Sequence, residues 1–122
     1  MPLYYHLTTR PDWQSAQTLG VYKAETLTTQ GFIHLSHAQQ VAKVANAFYA
    51  DVPQVIVLVV EGAKLTAELR IEAPDTSLPI GHEADELFPH LYGPLDLAAV
   101  VGVAELGRDS AGQYIFPTEA AD

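Results

Sequence analysis

The run from Gln54 to Val60 constrains this chain more than any other feature: five of its seven residues are valine or isoleucine, and none is charged. β-Branched side chains suit a pleated strand and crowd the preceding turn of a helix. A run with no polar alternation is the pattern of a strand covered on both faces. Ala98 to Val103 has the same character. The two are expected to form the centre of a sheet, with the remaining segments laid around them.

Leu3-Tyr4-Tyr5-His6-Leu7-Thr8 reads as a first strand, and Pro11 stands where helices begin. The helix runs to about Leu19, with Trp13 and Ala16 on its inner face and Gly20 as its stop. Residues 21 to 31 carry no clear period and read as an irregular crossing. Phe32-Ile33-His34-Leu35 is a brief apolar strand. Ser36 three residues before Gln39 has the form of a capping box, and Val41, Val44, Ala45 and Phe48 recur at helical spacing up to about Tyr49. Later come a strand at Leu69 to Glu72, a proline- and glycine-rich loop, the compact segment Phe88 to Leu95 and an edge strand at Gln113 to Phe116. Helices early and strands late predict one α+β domain over residues 1–122, with a core of about 3–116 and a frayed tail at 117–122. Its split sheet should be mixed but mainly antiparallel, with two helices in the N-terminal half.

At 122 residues and 48% hydrophobic composition the chain can bury one continuous core. With no cysteine it can build neither a disulfide scaffold nor a thiolate metal site, which leaves the cytoplasm as the default compartment. The N-terminus lacks a basic stretch followed by a long apolar run, and no apolar run is long enough to span a bilayer, so no membrane association is expected. A net charge of -9 repels phosphate backbones and anionic lipid, so neither DNA nor RNA is an expected partner. A small nucleotide stays open, because a few aimed donors can hold one phosphate group whatever the net charge.

Four segments can carry chemistry. In Gly31-Phe32-Ile33-His34-Leu35-Ser36 an imidazole lies beside the free N–H groups of a helix start, which suits an anion. His6 and Thr8 repeat that arrangement at the end of the first strand, and if the two strands neighbour each other both rings can reach one cleft. The plainer alternative is that His6 and His34 are structural histidines bonded to carbonyls, with Ser36 a simple cap. In Phe88-Pro89-His90-Leu91-Tyr92-Gly93-Pro94, prolines and glycine hold His90 and Tyr92 on a rigid backbone. Glu72, at the end of an apolar strand, is the candidate recessed carboxylate. No metal is expected: His34 with His37, or His82, Glu83, Glu86 and His90, lack the His-Glu-x-x-His spacing of a zinc hydrolase. A metal-assisted hydrolase using His34, His37 and His90 is therefore the least favoured alternative. Serine-hydrolase, P-loop and dinucleotide fingerprints are missing as well.

Tyr5-His6-Leu7-Thr8, Trp13, Gly20-Val21-Tyr22, Gly31 to Ser36 and Phe88 to Leu95 together resemble the bacterial family called domain of unknown function 952, over about residues 3 to 103. A looser similarity joins His6-Leu7-Thr8 and Ile33-His34-Leu35-Ser36 to the ADP-ribosyltransferase superfamily, especially the RNA 2'-phosphotransferases. That resemblance implies an ADP-ribosyltransferase-like fold binding NAD or an ADP-ribose-containing nucleotide, with His6, Thr8, His34 and Ser36 around the riboses. It also implies glycosidic or ADP-ribosyl transfer, for which Glu72, His90 and Tyr92 are the candidate catalytic groups. The alternative is a non-catalytic ligand-binding or interaction module on the same fold. Leu7 stands where that superfamily has a glycine, and no late glutamate or phosphate-holding arginines are evident.

Overall fold

Every strand pairing in the computed structural model, which describes residues 2–73 and 86–116, is antiparallel. The elements in chain order are β1 (Leu3–Thr8), α1 (Arg10–Leu19), β2 (Val21–Tyr22), α2 (Glu25–Thr29), β3 (Ile33–His34), α3 (Val41–Phe48) and β4 (Ile56–Glu61). There follow β5 (Glu68–Glu72), β6 (Phe88–Tyr92), β7 (Leu95–Asp96), β8 (Val100–Glu105), β9 (Gly107–Arg108) and β10 (Tyr114–Ile115). The architecture is α+β, and its strands form several small open sheets.

The valine-rich run supplies β4, which stands between β1 and β8. Its alternate side chains serve two cores. Ile56, Leu58 and Val60 join Ala16, Tyr22, Ile33, Leu35 and Leu91 on one face, whereas Val55 and Val57 join Tyr5, Leu7, Val41 and Ala45 on the other. Burial on both faces is thus observed for β4. It is not observed for the second uncharged run: β8 is an edge strand, and Val101 and Val103 are 48% and 41% exposed. A bulge at Val59/Val60 bends the register between β4 and β8, a device that blunts an apolar sheet edge.

α1 begins and ends as the sequence predicts. The Thr9 hydroxyl accepts the Asp12 N–H at its start, and Gly20, at φ 95°, takes the left-handed turn that closes it. The stretch expected as an irregular crossing holds β2 and α2, giving three α-helices instead of two among the described residues. A two-residue strand and a five-residue helix are too short to show a period. Ser36 does not cap a helix. Its N–H and C=O pair with those of Tyr5 at 2.7 and 2.9 Å, and the cap lies one residue on, where Gln40 Oε1 accepts the His37 N–H at 2.9 Å.

This Tyr5–Ser36 bridge fastens the β1–β4–β8 sheet to a second one, ordered β3–β6–β5, in which Ile33 faces Leu91 and His34 faces His90. Leu35 N–H continues that pairing onto the Pro89 carbonyl at 3.0 Å. α1 packs against β2, and α3 packs against β1 and β10. After β6 the chain turns tightly: a Cβ at Gly93 would stand 2.6 Å from Ala67 Cβ. Gly93→Ala is therefore expected to cost about 1–3 kcal/mol in urea unfolding, as overpacking does. A loss under about 0.5 kcal/mol would show that the turn simply moves aside.

Candidate functional site

A cleft of about 730 Å³ opens beside the Tyr5–Ser36 bridge, walled by the end of β1, by α1, by residues 22–26 and by His34 to Ser36, with Val44, Phe48, Tyr49 and Phe88 completing the lining. All four residues predicted to hold a nucleotide, His6, Thr8, His34 and Ser36, line it. The two histidine-bearing segments do converge, through the bridge.

The rings do not act alike. His6 is 7% exposed, and both of its nitrogens are engaged: Nδ1 lies 2.7 Å from the His34 carbonyl and Nε2 2.9 Å from the Tyr22 hydroxyl. Only a donor can face a carbonyl, so Nδ1 carries the proton. Burial pushes the ring down to a pKa of about 4, so at neutral pH it is uncharged and Nε2 accepts from Tyr22. Thr8 Oγ1, 3.0 Å from the same phenol, is then the group that donates to the Tyr22 oxygen. Burial in turn drives Tyr22 up to about 12, which keeps its proton in place. His6, Thr8 and Tyr22 are therefore a closed string tying β1, β2 and β3 together, and the structural alternative for His6 is the one its hydrogen bonds match.

His34 differs. Its ring is half-buried on the cleft wall, where Nε2 meets Gln30 Oε1 at 2.7 Å, and it stands edge to face with His90 at 5.4 Å between centroids. Ser36 and Thr8 are buried at 5% and 3%, and Ser36 contributes its backbone to the bridge.

Glu72, His90 and Tyr92 also come together, but away from the cleft lining. They share one face of the β5–β6 pair with Arg70 because alternate residues of a strand point the same way. One carboxylate oxygen, Glu72 Oε1, accepts both the Tyr92 hydroxyl and His90 Nδ1–H, the latter at 2.9 Å. Those two bonds, Tyr92 first, hold the Glu72 carboxyl below the usual range, and Glu72 in turn raises the Tyr92 phenol. Phe32 lies flat against the His90 ring at 4.1 Å, and the Arg70 guanidinium covers Tyr92 at 4.4 Å. His90 is 2% exposed, and its Nε2 has no hydrogen-bond partner among the described residues. The predicted carboxylate–imidazole–phenol set is therefore real as a cluster, and it adjoins the cleft through the ring of His34 and through Phe88, which lines the cleft and pairs with Glu72 across the strands.

No group of three or more potential metal-ligating side chains stands together among the described residues, and His82 and Glu83 lie outside them. What sequence reasoning missed is the rest of the cleft: Asp12 and Ser15 on α1, Lys23, Glu25 and Thr26 beyond β2, Gln30, and Tyr49. Two of these left a signal. Asp12 follows an N-cap threonine into the first helical turn, and Gln30 precedes His34 by four residues.

The sequence model of a family described as protein of unknown function (DUF952) matches residues 7–103. Among solved structures, the crystal structure of protein CC0527 from Caulobacter crescentus superposes with a TM-score of 0.77 at 29% identity, covering 93% of each chain. The solution structure of that protein gives 0.64 at 28% identity, over 93% of this chain and 91% of that one. No curated protein matches the chain. The likeness reaches nearly end to end.

Proposed function

The chain belongs to the DUF952 family of proteins of unknown function, and from its cleft we propose that it is a binding domain for a small nucleoside- or nucleotide-type ligand, the class that includes NAD and ADP-ribose. The observation that carries this reading is the make-up of the cleft. Its roughly 730 Å³ falls in the range of small-molecule sites. Apolar surface from Leu19, Val44 and Phe48 suits a flat base, and hydroxyls from Thr9, Ser15, Thr26 and Tyr49 suit a sugar. The similarity of His6-Leu7-Thr8 and Ile33-His34-Leu35-Ser36 to ADP-ribosyltransferase segments supports the same ligand class, since these segments meet at the cleft.

Binding is preferred over glycosidic transfer for one reason. Cleavage at the ribose carbon needs a desolvated group that stabilises a cationic sugar; the Glu72–His90–Tyr92 cluster does not line the cleft, and the carboxylates that do, Asp12 and Glu25, are exposed to water. Thermal melts with adenosine, AMP, ADP-ribose and NAD test the proposal. A probe at 100 times its Kd stabilises the fold by about 2.7 kcal/mol, a rise in Tm of about 10 °C for a domain of this size. Four flat titrations at millimolar probe would overturn the reading. Release of free base from a bound probe would move it to the enzymatic alternative.

A further inference from the structure

Within that class we infer that the cleft selects phosphate-free members: its occupant is a nucleoside whose ribose hydroxyls meet the Asp12 carboxylate, and phosphorylated nucleotides are turned away. This rests on the nucleoside reading above and narrows it.

The argument begins with where a phosphate would go. Helix N-termini are natural anion sites, because unpaired N–H groups and the helix dipole both face outward there. α1 presents such an end at the cleft wall, and the chain has filled it with its own groups. The Thr9 hydroxyl takes the Asp12 N–H, and the Asp12 side chain adds a negative charge in the first turn. No hydrogen bond or ion pair engages that carboxylate among the described residues. Its charge is felt inside the cleft, since it helps raise both the Tyr22 and Tyr49 phenols.

The remaining charges point the same way. Of the ionised side chains on the lining, Asp12 and Glu25 are negative and only Lys23 is positive. His6, which as an imidazolium could hold a phosphate, is buried, neutral and fully used by His34 and Tyr22. The chain as a whole carries -9. A second anionic group entering the cleft meets repulsion from the Asp12 and Glu25 carboxylates, whereas a vicinal diol gives a free carboxylate two O–H donors. Apolar surface and hydroxyls then accommodate the base and the rest of the sugar.

Calorimetric titration of the full chain with adenosine, AMP and ADP-ribose at low and high salt reads this directly. Adenosine is expected to bind at least about tenfold more tightly than AMP, and AMP more tightly than ADP-ribose, with the gap narrowing as salt screens the charges. Asp12→Asn should weaken adenosine several-fold while improving AMP, reversing the trend through one charge. Because Asp12 is exposed and the Thr9 cap stays, the variant should melt close to the parent, which a melt without ligand verifies. AMP or ADP-ribose binding more tightly than adenosine would overturn this inference and leave the ligand class standing. Equal affinities, or an Asp12→Asn variant that changes neither ligand, would also overturn it. Silence from all the probes would sink the ligand class, and this inference with it.

Discussion

Acidifying this protein from pH 7 to pH 4 is expected to remove about 3 kcal/mol of stability through His6 alone, a large share of the 5–15 kcal/mol that typically holds a domain together. In the unfolded chain the ring titrates at 6.5, and in the folded chain burial lowers it to about 4. Between those values the unfolded state binds the extra proton. Stability is therefore fully present above pH 6.5 and drains away as the pH falls through the window. The physical event is specific: a second proton on the ring removes the acceptor for Tyr22 and places an unpaired charge between β1, β2 and β3. Burial also lowers the His37 ring, so it contributes with the same sign. Comparison with His6→Asn isolates the His6 share, because asparagine keeps a donor toward the His34 carbonyl and does not titrate. Urea unfolding from pH 7 to 4.5 should show a shallower pH slope in the variant. Parallel slopes would mean that the ring is not buried as described.

Leu91→Ala carries an expected cost of similar size, about 3–4 kcal/mol, and a Tm lower by about 10 °C or more. Leu91 has no exposed surface, sits on β6, the central strand of its sheet, between Ile33 and Leu69, and belongs to the core that also contains Leu58 and Leu95. Truncation leaves a cavity under both flanking strands, and the close contact of Gly93 with Ala67 limits collapse at the adjoining turn. Leu19→Ala removes the same atoms from a site 64% exposed on the cleft rim and should change stability by under about 0.5 kcal/mol. Guanidinium unfolding of the pair checks both, and a Leu91→Ala cost below about 1 kcal/mol would show that this face of the β3–β6–β5 sheet is not a packed core.

Where a segment is long and strongly patterned, its structure could be read from residues alone. β1, α1 with its Gly20 stop, β4 and α3 are such segments. β2 and α2 could not, because their few residues complete no period. β8 illustrates a different limit: valines at a sheet's centre and valines at its edge have the same composition, and only the pairing of β4 with β1 on its other side separates them. The site divides in the same manner. His6, Thr8, His34 and Ser36 were recognisable as residue types at strand ends. That both nitrogens of His6 are consumed internally depends on Tyr22, whose phenol arrives from a strand that leaves no pattern. Asp12 was overlooked because a carboxylate in a first helical turn ordinarily answers the helix dipole and nothing else.

The Tyr5–Ser36 bridge and the register of β1 on β4 also set the order in which this protein can assemble. Leu3 lies opposite Glu61 and Thr8 opposite Ile56, and the nearest other backbone partner of β1 is Ser36. During synthesis β1 leaves the ribosome long before β4 does, so while α1, α2 and α3 emerge it has the Ser36 bridge at Tyr5 to pair with but not its strand partner. Closing a loop of about fifty residues then precedes the β1–β4 pairing. Until β4 arrives, Tyr5 and Leu7 have no strand to lie against. That interval, more than any weakness of the finished fold, is when the nascent chain is open to a wrong partner.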